Sequence, residues 1–454
     1  MSRFIHRIGG LATGLLLAIT APAAWANSLA DTLADAYEAS GLLEQNRALL
    51  RAADEDVAQA VSSLAPILSW SANASVTDPR PVGGDFLTTN VALNAELLIY
   101  DGGGSQIAIE AQKELVLATR QELVQIEQEV LLRALEAHLN IRRAFEFVQL
   151  RQSNVRLITQ ELRAARDRFD VGEVTRTDVS LAEARLASSR SFLASAEGDL
   201  AQAIEEYRAA VGRAPGNLSP VPPANIGYDA NAARSFAVRN HPSIRAAMHN
   251  VSAAELNIRR AEAALRPRVT FQGSVGFNDD WDSSESIGLN ISGPISQGGR
   301  LASTSRQAMA RRDAQRAGLH IVRQQIEQQV GNAYALLTVA RASREASERQ
   351  IRAARVAFQG VREEATLGAR TTLDVLNAEQ ELLDAQANSI AAQIDETLAS
   401  YRVLSSMGLL TAEDLNLGVQ SYDPSAYYNL VKDAPLGQSD QGRALDRVLR
   451  AIGD

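Results

Sequence analysis

Chemistry is scarce in this chain, and what there is sits beside glycine turns. The sequence has no cysteine, so it offers no thiol nucleophile, no disulfide and no cysteine-based metal site. Past the first 26 residues the histidines are His138, His241, His249 and His320. They are scattered, and no metal-ligand spacing joins them. No nucleophile stands with a base and an orienting acid, so the residues predict neither an enzyme nor a cofactor. Asp101-Gly102-Gly103-Gly104 opens a helical stretch as a phosphate cradle does, but the Lys-Ser/Thr of such loops is missing. What remains is Arg370, Asp178 and Asp374, with Thr177 and Asn377 nearby. Read alone, the two aspartates begin helices, where the macrodipole favours an acid, and Arg370 is an exposed turn residue.

The elements that carry these residues are unusual. From Ser105 to Val171 there is neither glycine nor proline. At 1.5 Å per residue that stretch makes a rod of roughly 100 Å. Ile141, Val148, Val155, Leu162 and Phe169 recur at heptad spacing, with Ala137, Ala144, Ile158 and Ala165 close behind and Arg151 as a break. This is the seam of a coiled coil. A second rod runs from Arg300 to Leu367, interrupted only by Gly318, Gly331 and Gly360. Each rod ends at a glycine, Gly172 or Gly368, suited to the left-handed cap of a helix. Thr175 or Thr371 then starts a shorter returning helix. Helices at about 28–63 and 232–265 supply the missing length beside the rods.

Before each rod lie short alternating segments. Leu68, Trp70, Ala72, Ala74 and Val76 alternate with Ser69, Ser71, Asn73 and Ser75. Val91, Leu93, Ala95, Leu97 and Ile99 alternate with Asn90, Asn94 and Glu96. Val269, Phe271, Val275 and Phe277, and then Ile287, Leu289 and Ile291, do the same in the second half. Period two puts each set on its own face of a strand. Each segment is about 10 residues, the length with which a tilted strand crosses a bilayer. Paired hairpins on a soluble core would alternate in the same way, and the alternation alone does not separate the two.

The halves are copies. LNAELLIYDGG (Leu93–Gly103) matches LNISGPISQGG (Leu289–Gly299), and VGEVTRTDV (Val171–Val179) matches LGARTTLDV (Leu367–Val375). The register is constant at about 196 residues, the mark of a duplicated unit. The expected plan is a signal at 1–26 and a first unit at 27–212 with strands at 65–77 and 87–100. A proline-rich linker follows at 213–230, then a second unit at 231–417 with strands at 267–278 and 286–296. A tail at 418–454 is expected to be partly disordered, with a short amphipathic helix at Ala444, Val448, Leu449 and Ile452. The signal reading rests on Arg3, His6 and Arg7, an apolar run over Leu11–Ile19, and Ala24-Trp25-Ala26. It implies export and a mature chain from Asn27. Net charge is −9, which provides no basic patch for nucleic acid. No later apolar run reaches the roughly 18 residues of a membrane helix, but that test is blind to barrel strands.

Strand, strand, long helix, glycine turn and helix, duplicated behind a signal, resembles the TolC family of outer-membrane efflux proteins. Phe169–Ala182 and Ala365–Ala378 resemble its two helical turns, and Tyr100-Asp101-Gly102-Gly103 its strand-to-helix junction, repeated at Gly298 and Gly299. The similarity covers nearly all of 27–417. It implies a mainly α fold with a membrane β-barrel. Three copies would give four strands each to one twelve-stranded barrel surrounded by outer-membrane lipid, continued by a periplasmic α-helical barrel. It implies an exit duct for efflux or type I secretion, driven by an inner-membrane transporter. A periplasmic adaptor would dock at the turns Val171, Gly172 and Glu173, and Leu367, Gly368 and Ala369. It further implies an aperture latch, with Arg370 bonding to Thr177 and Asp178 of a neighbouring turn. The family's latch tyrosine is replaced by Ala365. Of two acidic pore rings, Asp374 matches the first, and Asn377 stands in the second. A periplasmic coiled-coil adaptor or scaffold is the rival, but it would carry one hairpin flanked by β-rich domains. A secreted enzyme lacks its catalytic set.

Overall fold

The computed structural model describes residues 27–76, 78, 87–437 and 439–453. The signal reading and nearly all of the polar stretch Thr77–Asp85 lie outside these residues. One run of elements occurs twice. The first copy is α1 (Leu29–Ala39), α2 (Gly41–Ser62), β1 (Ile67–Val76), β2 (Leu87–Tyr100), α3 (Gly104–Asp170) and α4 (Arg176–Val211). The second is α5 (Ala230–Asn240), α6 (Pro242–Ala263), β3 (Arg268–Asn278), β4 (Ser283–Ser292), α7 (Arg300–Thr366) and α8 (Thr372–Met407). Matching helices have equal lengths of 11, 22, 67 and 36 residues.

Several boundaries differ from those expected. The helix expected over 28–63 is broken at Ser40, which turns extended and caps α2 by accepting from the Leu43 amide at 3.2 Å. The helix expected over 232–265 breaks at His241, because Pro242 excludes its predecessor from the helical region; His241 Nδ1 then accepts from the Ser243 amide at 3.2 Å. The last strand is Ser283–Ser292, not 286–296. It begins early because Asn278 closes a tight turn by accepting from the Trp281 amide at 3.1 Å, and it stops before Gly293-Pro294, where the ladder would lack a donor. The tail, expected to be partly disordered, contains α9 (Pro424–Val431) and α10 (Asp440–Gly453). Tyr427 donates to Glu55 of α2 at 2.6 Å, and Arg120 of α3 lies over the Tyr428 ring, so α9 is fastened to both helices. The stretch 213–230 is extended yet pinned, with Leu218 and Val221 packed on the main core and the Ala224 amide donating to Ser400 at 2.7 Å.

The strands form one antiparallel sheet in the order β1-β2-β3-β4. Register carries the alternation across it. Trp70 lies opposite Leu93, and Leu93 opposite Val275; Phe271 lies opposite Leu97 on one side and Leu289 on the other. The apolar face is therefore continuous, and it is bare: Trp70 is 77% exposed and Ile287 82%. The opposite face carries Ser, Asn, Thr and Gln, including Ser75–Thr88 and Ser274–Ser286 hydroxyl pairs at 2.8 Å. Strands of 10 to 14 residues are long enough to span hydrocarbon when tilted. Among the described residues, no helix is long and apolar enough to do so.

All connections between sheet and helices lie at the end of the rods opposite the glycine turns. At the first junction Gly102 and Gly103 have φ +70° and +85°. Asp101 fastens them, accepting from the Gly103 amide at 3.0 Å and the Ser105 amide at 2.7 Å. A Cβ on Gly102 would meet Arg266 Cβ at 2.7 Å and the Ala263 carbonyl oxygen at 3.0 Å. Below the junction α3 packs first on α2 and α6, then on α4, and α7 packs on α6 and then α8. The principal core lies at the crossover between these partners, around Leu33, Tyr37, Leu131, Leu135, Tyr207 and Leu410. Its polar centre is His138, whose Nδ1 lies 3.0 Å from Thr32 Oγ1 and whose Nε2 lies 3.3 Å from the Ser219 carbonyl. Burial holds this histidine below its ordinary pKa, so it is a neutral structural group.

Gly102→Ala is expected to cost about 1–3 kcal/mol, since it combines a left-handed backbone with a clash. Gly198, inside α4 with open space around it, is the control. Gly198→Ala should be neutral or stabilising by about 0.5–1 kcal/mol. Thermal melting of the assembled protein on gels reads both; equal melting would remove the close-approach argument.

Candidate functional site

The end of the molecule farthest from the sheet is built from two near-identical turns. After α3, Gly172 takes φ +80°, and the Glu173 amide donates to the Arg168 carbonyl at 2.9 Å. After α7, Gly368 takes φ +78°, and the Ala369 amide donates to the Glu364 carbonyl at 2.9 Å. These are glycine helix stops. Each returning helix then starts with a reciprocal capping box. Thr175 accepts from the Asp178 amide, and Asp178 Oδ2 accepts from the Thr175 amide at 2.9 Å and hydroxyl at 2.7 Å. Thr371 and Asp374 repeat this at 3.0 and 2.8 Å. Val171 and Leu367 leave apolar tips in solvent, 72% and 85% exposed.

Between the turns lies a groove of about 540 Å³, with Glu173, Val174, Thr175 and Asp178 on one wall and Gly368, Arg370 and Thr371 on the other. The structure thus brings Arg370 and Asp178 to one groove without joining them. Arg370 instead donates from Nε to Glu364 Oε2 at 2.7 Å, both side chains half exposed. That hydrogen bond, with the charges of Glu364 and Asp374, holds the guanidinium firmly protonated. Thr177 is exposed and does not line the groove. Ala365 is buried against Phe358 and Val375, and its methyl side chain has no polar group to give. Asp374 is ionised, because the Thr371 amide and hydroxyl, and then Arg370, hold its carboxyl low. Asn377, three residues on, accepts from Arg185 Nη2 of α4 at 3.3 Å.

The sequence reading missed the group next to these. Glu379 is 3% exposed. Its Oε1 accepts from Asn154 of α3 at 2.8 Å, and its Oε2 has no hydrogen-bond partner. Burial, then the charge of Glu161, pushes its carboxyl up to about 7, against the Asn154 bond and the charges of Arg185 and Arg362. A glutamate on a polar helix face carries no sequence signal of this burial. Among the described residues no cluster of acids and histidines could hold a metal.

A family model described as outer membrane efflux protein matches residues 33–213 and 234–409. The chain belongs to that family. It is 34% identical over 432 residues to the outer membrane efflux protein BepC of Brucella suis, covering 92% of this chain and 93% of the relative. It is 24% identical over 416 residues to the outer membrane protein TolC of Vibrio cholerae, covering 87% and 93%. Among solved structures, CusC superposes with a TM-score of 0.75 at 18% identity, covering 84% of this chain and 92% of that one. The sheet and the paired rods are therefore those of a TolC-like channel. The chain spans the outer membrane with its strands, reaches into the periplasm with its helices, and serves as an exit duct. Members of the family are channel proteins, and they work as homotrimers with adaptor and inner-membrane transporter partners. The adaptor or scaffold alternative falls, since it has no use for a bare, two-sided membrane sheet.

The capping boxes set the starts of both returning helices. Thr175→Ala should cost about 1 kcal/mol locally and raise hydrogen exchange at the Asp178 amide severalfold. Unchanged exchange there would show that tertiary packing alone holds the turn.

Proposed function

We propose that three copies of this chain close a passive duct whose periplasmic mouth is ringed by the six glycine turns. The observation that carries this reading is the open four-stranded sheet. Its face is apolar on one side and hydrogen-bonding on the other, and its edges β1 and β4 each have one neighbour. Three such sheets, joined β4 to β1, give twelve strands and leave no edge. The apolar face then meets lipid and the serine-rich and asparagine-rich face lines a wet lumen. The matching threefold repetition sets the long helices side by side in one tube.

At the mouth, Arg370 is the movable part of an aperture latch. Its bond to Glu364 is exposed and therefore weak, and Asp178 already stands across the groove with Thr177 beside it. A neighbouring copy brings an equivalent turn within reach, so Arg370 can exchange Glu364 for Asp178 and Thr177 of that copy. Asp374 faces the axis as a ring of three carboxylates, which draws cations. Asn377 leaves that ring without a second layer. The apolar tips Val171 and Leu367, with Gly172, Glu173, Gly368 and Ala369, form the surface that a periplasmic adaptor covers. An inner-membrane transporter supplies the energy, as it does for the channels of this family.

Two measurements in planar bilayers test this assignment. Arg370→Ala should raise single-channel conductance severalfold over the wild type; equal conductance would remove the latch. Asp374→Asn should move the reversal potential under a salt gradient towards zero. An unaltered reversal potential would take Asp374 off the permeation path.

A further inference from the structure

A second set of contacts lies just inside the proposed mouth, and it joins the two helical hairpins of one copy. The seam contains Ile158 and Leu162 of α3, Ala182 and Leu186 of α4, and Leu376 of α8. Two polar bridges cross it. Arg185 of α4 donates to Asn377 of α8 at 3.3 Å. Asn154 of α3 donates to Glu379 of α8 at 2.8 Å. Glu379 lies five residues beyond Asp374, about 7.5 Å along the helix axis. We propose that Asn154, Arg185, Asn377 and Glu379 form a proton-dependent clasp that holds the α7–α8 hairpin against the α3–α4 hairpin and keeps the mouth narrow while Glu379 is protonated. This rests on the duct reading above and adds a control to it.

Half of the Glu379 carboxyl lacks a partner. The amide of Asn154 satisfies only Oε1 of Glu379, and Oε2 is buried with no partner. A neutral carboxyl tolerates that position, whereas a carboxylate must be solvated or paired. The charged groups around it do not supply a partner. On α3, Glu161 repels it and is itself paired with Arg362 of α7 at 3.5 Å. On α4, Arg185 attracts it but spends its Nη2 on Asn377. Ionisation therefore has two ways to relax, and both loosen the seam. Water enters between α3 and α8, or Arg185 leaves Asn377 for Glu379. Either frees the α7–α8 hairpin to move relative to the α3–α4 hairpin.

The direction with pH follows from the raised carboxyl. A glutamate at about 7 in the fold, against 4.5 as a free side chain, supports the seam fully below about 4.5. That support drains away as pH rises through about 7. Asn377 also acquires a purpose here. An acid at that position would hold Arg185 more firmly and leave it less able to turn to Glu379.

The test is single-channel recording of the full-length protein in planar bilayers from pH 5.5 to 8.5. Wild type, Glu379→Gln, Arg185→Ala and Arg370→Ala are compared. Wild-type conductance should rise severalfold across pH 7, and Glu379→Gln should stay at the low-pH level throughout. Arg185→Ala should be wider at low pH, since the Asn377 bridge is gone. Glutamine keeps the Asn154 bond, so a merely structural role would not change the pH profile. Channels that widen in Arg370→Ala but show one pH profile for wild type and Glu379→Gln would overturn the clasp and leave the duct standing. No channels from any well-folded variant would overturn the duct, and the clasp with it.

Discussion

The fold depends on two rows of unpaired backbone groups. Strands β1 and β4 each have a neighbour on one side only, and the apolar face between them is suited to hydrocarbon. Hydrocarbon offers no partner to a free amide or carbonyl, so an open sheet edge cannot persist there. The sheet must close, and four strands cannot close on themselves around a wet lumen. Closure by copies of the same chain is the available solution. Every other repeated feature then inherits the symmetry of that closure. The helices that leave the sheet at Gly102–Gly103 and Gly298–Gly299 start at fixed places on the ring, and equal rods of 67 residues bring all turns to one level.

Duplication supplied the parts, and a few departures from it supply the asymmetry a mouth requires. At the register of 196, Arg370 corresponds to Val174, Asn377 to Leu181 and Glu379 to Glu183. The backbone of the two turns is the same, down to the capping box. Their surroundings are not. Glu183 sits in solvent and pairs with Arg166, whereas Glu379 is buried because α8 packs against α3 as well as α7. One residue type in one repeat position is thus a solvated ion pair in one hairpin and a buried acid in the other.

Much of this was legible in the sequence because the signals were local. Period-two alternation gave the strands, the absence of breakers gave the rods, and the constant register gave the duplication. Where the reading failed, it failed for two different reasons. The breaks at Ser40-Gly41 and His241-Pro242 are local too, and an N-cap serine or a residue before proline is a recognisable stop; the long helical pattern on both sides overrode them. The Asn154–Glu379 bond is of another kind. Its partners are 225 residues apart, and no spacing rule connects α3 to α8. Charge in a helix reads as solvent-facing unless a third helix is known to cover it.

A passive duct also constrains how strong its closing contacts can be. They must hold the duct together against thermal motion, yet let its hairpins rearrange. Exposed ion pairs such as Arg370–Glu364 are weak and screened by salt, so exchanging their partners costs little. Apolar seams such as the one around Ile158, Leu186 and Leu376 resist separation much more. Combining the two keeps each hairpin intact while letting hairpins move relative to one another. The buried carboxyl of Glu379 lies at that boundary, within the seam but with half of its hydrogen-bonding capacity unmet. A contact of that kind is easily tipped, and it sits where α8 meets α3.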